Sequence, residues 1–175
     1  MASQDGPAVG QVGELFALQV DFATAIEALL ASQRITFHPA EMEYEYRAAP
    51  AWHPRDSRER EYAIFLVGRR FQDSEVDRFF RETDFEHATL REVIAAVEHL
   101  GPTAGDRAPL LALGSGCYKK SFPDEPGDDD GWACTFHPYF LASEQRDGSG
   151  SIDEIGWPLD SWSSFHVLMS RPRPS

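Results

Sequence analysis

"GSGCYKKSFPDEPGDDDGWACTFH", residues Gly114 to His137, is the stretch on which the fold turns. Two apolar runs flank it, PLLALGS from Pro109 and WACTFHPYFLA from Trp132, and the intervening SFPDEPGDDDG carries two prolines and two glycines. Branched and aromatic runs bounded by such breakers read as strands, so the stretch is a β-hairpin with a long, very polar tip. A hairpin pairs its strands antiparallel, which makes an antiparallel sheet the starting expectation.

Working outward, three more strands are expected. In EMEYEYR (Glu41–Arg47), Met42, Tyr44 and Tyr46 alternate with Glu41, Glu43 and Glu45, the period-2 mark of a half-buried strand. The run YAIFLV (Tyr62–Val67) is continuous and rich in branched and aromatic residues, as in a central strand covered on both faces. SFHVLMS from Ser164 is the last strand. Between them, AAPAWHPRDSRER, with His53, Arg55, Arg58 and Arg60, reads as a long loop, Asp147-Gly148 as a turn, and SIDEIGWPLDSW as irregular.

Three segments have helical signals. Leu15, Leu18, Phe22, Ile26 and Leu29 recur at spacings of three and four, predicting a helix of roughly 18 residues whose charged members, Glu14, Asp21 and Glu27, are all acidic. Asp73 or Ser74 can cap a short helix holding Val76, Phe79 and Phe80. Thr89 with Glu92 forms a capping-box pattern ahead of Leu90, Val93, Ile94 and Val97, and Gly101-Pro102 ends that helix. Strands and helices do not alternate regularly, which excludes a doubly wound fold. The expectation is an α+β fold: a single domain over residues 13–170, with a mostly antiparallel sheet of about five strands and three helices packed on it. Residues 1–12 form a flexible leader and RPRPS, residues 171–175, a frayed tail.

Several residues are candidates for chemistry. Cys117 precedes Lys119 and Lys120, whose positive charge favours the thiolate, and a cysteine hydrolase or transferase would need a histidine base such as His137 or His166. A cysteine within a strand is more commonly a small core hydrophobe. Gly114-Ser115-Gly116 lacks the Gly-x-Ser-x-Gly spacing of a nucleophile elbow and the lysine spacing of a phosphate loop. Cys117, Cys134 and His137 are one ligand short of a structural zinc site and contain no close Cys-x-x-Cys pair. Asp124, Glu125, Asp128, Asp129 and Asp130 crowd like calcium ligands, but Pro126 and His137 fall where an EF-hand loop needs oxygen donors. No metal and no cofactor is therefore expected. The carboxylates of Glu41, Glu43 and Glu45 share a strand face and are expected to pair with Arg58, Arg60, Arg69 or Arg70.

Charge bounds the partners. The 175 residues carry 29 acidic and 16 basic side chains, a formal charge of −13. That sign opposes direct binding to nucleic acid or to an anionic membrane surface. No apolar run approaches the roughly 20 residues of a membrane span, and MASQDGPAVG lacks the features of a signal peptide, so a cytoplasmic protein is expected. Trp132, Trp157 and Trp162 are interleaved with acidic residues, the composition of a surface that grips Arg and Lys. The leading expectation is thus a small acidic protein that binds a basic protein partner, in the manner of an inhibitor, immunity protein or adaptor. Its contact residues would be Asp124, Glu125, Asp128, Asp129, Asp130, Trp132 and Trp157. The alternatives are the cysteine-dependent enzyme and a structural subunit of a larger assembly.

Two cysteines are too few for a disulfide scaffold, and in a reducing compartment both are thiols. Thiol titration of the denatured, unreduced protein is expected to find two reactive groups; finding none would show that Cys117 and Cys134 are oxidised.

Overall fold

The apolar run at Tyr62–Val67 forms the middle of strand β3 (Arg60–Gly68), and its two faces enter two different cores. The computed structural model describes residues 13–37, 60–68, 78–79, 82–115, 117–120, 133–145, 147–156 and 164–173. In chain order the other elements are β1 (Phe16–Ala17), α1 (Ile26–Ser32), β2 (Ile35–Phe37), β4 (Glu86–His87) and α2 (Leu90–Leu100). A 3₁₀ turn (Gly101–Arg107) leads to β5 (Leu110–Leu111), β6 (Cys117–Lys120), β7 (Ala133–Ala142), β8 (Gly150–Gly156) and β9 (Ser164–Pro172).

The nine strands form one sheet in the order β1-β3-β9-β5-β7-β8-β2, with β4 also beside β9 and β6 also beside β7. Strand β9 is the spine. It pairs antiparallel with the whole of β3, from Arg60 opposite Pro172 to Gly68 opposite Ser164. Its other edge is shared end to end by β5, parallel, and β4, antiparallel. The expected hairpin is present: Cys117 lies opposite Phe136 and Lys120 opposite Ala133, antiparallel, with the tip outside the described residues.

Strand alternation divides the sheet into two packed faces. On one, Tyr62, Ile64, Leu110, Phe140, Ile152 and Leu168 meet α1 and α2 through Leu30, Leu90, Val93, Ile94 and Val97. Each such aliphatic side chain stabilises by roughly 1.5–3 kcal/mol when fully buried. On the other, Phe65, Val67, Leu111, Val167 and Met169 pack with Phe79 and Phe85. Phe65 stands edge-on to both rings, with centroids 5.2 and 5.4 Å apart, and the Arg171 guanidinium lies 5.1 Å from the centre of Phe85.

Helix α2 begins as its sequence dictates. The Thr89 hydroxyl accepts the Glu92 N–H, and the Glu92 carboxylate reaches back to the Thr89 N–H at 2.7 Å, a complete capping box. Ser115 supplies a third contact, its hydroxyl accepting the Leu90 N–H at 2.7 Å. The helix stops at Gly101, whose φ of 53° is the left-handed conformation that a glycine adopts without a Cβ penalty.

The sheet and helix inventory differs from expectation. The described residues hold nine strands rather than about five, two of the pairings are parallel (β2 with β8, β5 with β9), and two α-helices lie complete within them, with Arg78, Phe79 and Glu82 also helical. The long first helix is replaced by β1, a bend and the short α1. The Asp21 side chain accepts the N–H groups of Ala23 and Thr24 at 2.8 and 2.9 Å, a local turn that competes with helix, while Phe16 and Ala17 pair with Tyr62 and Glu61 of β3. Phe22, expected in the apolar stripe, is 46% exposed. SIDEIG, expected to be irregular, is strand β8, held between β7 and β2 by ladders that its own composition does not reveal. Arg171 and Pro172 of the expected tail belong to β9, and Arg60 of the expected loop starts β3. The expected strand at Glu41–Arg47 lies outside the described residues, as do residues 1–12 and most of the expected second helix.

Gly114 makes the closest approach in this region. A Cβ there would lie 2.5 Å from the His87 carbonyl oxygen and 2.7 Å from that of Ala88, both fixed backbone. Its N–H donates to the Ala88 carbonyl at 3.0 Å. Gly114→Ala is therefore expected to destabilise the protein by more than Ser115→Ala, which removes one capping contact worth about 1 kcal/mol. Urea unfolding of both variants checks the order.

Candidate functional site

A groove of about 530 Å³ is lined on one side by Ala17, Leu18, Gln19, Val20 and Asp21, and on the other by Ala95, Glu98 and His99 of α2. From Phe16 to Asp21 the side chains alternate in burial: Phe16, Leu18 and Val20 are half-buried, whereas Ala17, Gln19 and Asp21 are exposed. The inward three pack onto the core beneath α2. This is the pattern of a strand, although only Phe16 and Ala17 are paired with β3. No main-chain hydrogen bond joins Gln19 or Val20 to another described residue.

Two contacts hold the segment against α2. The Phe16 ring stacks on His99, with centroids 5.3 Å apart and planes 4° from parallel. At the other end the Arg91 guanidinium donates to the main-chain carbonyls of Asp21 and Thr24, at 3.1 and 2.5 Å. Hydrogen bonds from the Thr24 side chain and from the Thr24 and Ala23 N–H groups hold the Asp21 carboxyl below the usual carboxylate range. The Arg91 charge acts in the same direction, so Asp21 stays ionised, and with Glu98 it gives the groove two carboxylates, the Arg91 guanidinium standing beside the first.

His166 is the second notable group. It lies on β9 between Leu66 of β3 and Leu110 of β5, is 4% exposed, and neither ring nitrogen has a hydrogen-bond partner of regular geometry. Burial, and then the Arg107 charge, push its pKa from 6.5 to about 4, although the Arg107 main chain is close enough to favour the proton slightly. It is a neutral imidazole at pH 7. Glu92, also fully buried, is accounted for: it accepts from the Tyr62 hydroxyl at 3.1 Å as well as from Thr89.

The sequence candidates are spread out by the register. Cys117 is opposite Phe136, and in a pleated ladder opposite residues share a face while chain neighbours take opposite faces, so positions 117 and 137 belong to different faces. Cys134 is opposite Lys119 in the same ladder. His166 is in register with Phe140 through Leu110, four residues along β7 from Phe136, or about 13 Å at the strand rise. Asp124, Glu125, Asp128, Asp129, Asp130, Trp132 and Trp157 lie outside the described residues. Among the described residues no three His, Cys, Asp or Glu side chains converge as metal ligands, and no helix is long and apolar enough to cross a membrane. Arg60, expected to pair with the glutamates at 41–45, bonds Glu86 at 2.7 Å and the Ser170 hydroxyl.

A helical reading of the segment around Leu18 hides the groove. The signal that finds it is the alternation of Phe16, Leu18 and Val20 with Ala17, Gln19 and Asp21. In comparison with known proteins, no family model matches the chain, and no curated protein and no solved structure matches it.

The unfolded chain, with a histidine pKa of about 6.5, takes up a proton before the folded one does. The stability held by neutral His166 is complete above pH 6.5, is lost as pH falls towards 4, and levels off below that. Between pH 7 and 4.5 the native protein is expected to lose roughly 2–3 kcal/mol more than His166→Leu. Urea midpoints at the two pH values measure this, and equal losses would assign the acid sensitivity to other groups.

Proposed function

We propose that this chain is an acidic binding protein whose partner is a basic protein, which it blocks or organises. The observation that carries this reading is charge: a formal −13 over 175 residues, with Asp21 and Glu98 among the residues that line the groove beside α2. A field of one sign raises the local concentration of a partner of the other sign and speeds encounter more than it strengthens the final complex. Glu14, Glu27 and Glu98 are exposed and add to that field. So does the run from Asp124 to Asp130, whose five carboxylates attract through their charge, while Trp132 and Trp157 supply the apolar contact that slows release.

The test is partner recovery at two ionic strengths. A basic protein should be retained in stoichiometric amount at 0.1 M salt and lost at 1 M, where the Debye length falls from about 10 Å to about 3 Å. With that partner in hand, changing Asp128, Asp129 and Asp130 to Asn should slow association more than it speeds dissociation. A partner that is acidic, or one retained equally at both salts, would overturn the reading.

A further inference from the structure

We propose that residues 16–21 and the facing side of α2 receive an extended, basic segment of the partner, added to the sheet as a strand beside Gln19 and Val20. The proposal rests on the reading of the chain as a binder of basic protein and assigns it a place. Three independent features meet there.

The first is an open edge. Strand β1 is terminal in the sheet, and among the described residues its sole neighbour is β3. The burial alternation runs on to Asp21, past the point where pairing with β3 ends, and Gln19 and Val20 make no main-chain hydrogen bond to another described residue. A strand edge of this kind is the template on which an extended peptide adds, its main chain giving affinity and its alternate side chains specificity.

The second is preorganisation. The segment is held at Phe16 by the His99 ring and at Asp21 and Thr24 by Arg91, so binding need not order it. The third is charge. A strand laid along the groove would set some of its side chains beside Asp21 and Glu98, and the Asp21 carboxylate is kept ionised by its own turn and by the Arg91 charge. Lysine or arginine at those positions is complementary, whereas aspartate or glutamate is repelled. Phe22, beside the groove and 46% exposed, offers an apolar contact at its end.

The probe is a synthetic peptide of alternating Lys and Val, compared with its Glu/Val counterpart and with a Lys/Val peptide N-methylated along one edge. Amide chemical shifts and hydrogen exchange of the full chain are read out. The Lys/Val peptide is expected to shift Ala17 to Asp21 and Glu98 and to protect Gln19 or Val20, while the other two do neither. Asp21→Asn with Glu98→Gln keeps the Asp21 turn acceptor, removes both charges, and should weaken binding about fivefold at 0.1 M salt. Shifts confined to other residues would overturn the placement and leave the acidic-binder reading standing. Absence of binding, or equal binding of all three peptides, would overturn the strand-addition proposal, and the partner-recovery result would then decide the broader reading by itself. Protection of Gln19 and Val20 that appears on concentrating the protein without peptide would assign the edge to a second copy of this chain and overturn the proposal.

Discussion

The N-terminus of α2 is the joint on which the rest of the structure depends. The first N–H groups of a helix have no partner inside it, and here Thr89, Glu92 and Ser115 take up three main-chain donors at this end. Two of these acceptors tie α2 to something else. Glu92 also receives the Tyr62 hydroxyl from β3, and Ser115 brings the β5–β6 connection down onto the helix. Gly114 then sits so close to His87 and Ala88 that no side chain fits. One backbone requirement thereby fixes how β3, β4 and β5 stand against the helix.

From that joint the two faces of the sheet follow different physics. Beneath the helices the interior is largely aliphatic, and its polar members are bonded except for His166, which stays buried because it is neutral. On the far face an aromatic cluster is bordered by ion pairs that are partly shielded from water. Arg171 donates from two nitrogens to a single Glu61 oxygen, at 3.1 and 3.0 Å, directly across the β3–β9 ladder. That pair stabilises by roughly 0.2–1 kcal/mol, with the contact to Phe85 in addition. Arg60 and Arg171 are thus engaged within the fold, and the groove beside α2 carries Asp21 and Glu98 in its lining, with Arg91 beside Asp21.

The −13 charge and the groove act at different ranges. On the proposed reading, charge dispersed over the chain would steer a partner from a Debye length away, whereas the groove's geometry would select what can dock. In that proposal, specificity would come from the strand register and the two carboxylates beside the edge.

Local signals were legible wherever one segment carries its own reason to fold. Thr89 and Glu92 specify the start of α2 and Gly101 its end, because the capping groups and the left-handed glycine are neighbours in sequence. The run at Tyr62–Val67 specifies a strand buried on both sides, and the hairpin around residues 117–136 is specified by breakers between two apolar runs. What the sequence could not determine depends on partners far away in the chain. Phe16 and Leu18 satisfy both a helical and an alternating pattern, and only the free edge of β3, more than forty residues on, decides for strand. SIDEIG becomes β8 because β7 and β2 flank it, and the second parallel pairing, β5 on β9, links residues 110–111 to 166–167. The candidate chemistry of Cys117 met the same limit. Register, which is a property of pairing rather than of composition, sets Cys117 opposite Phe136 and His166 level with Phe140. Charge, caps and breakers are therefore set by the sequence alone, while strand order, the open edge and the groove beside it are set by tertiary structure, because main-chain pairing across long separations carries no local signature.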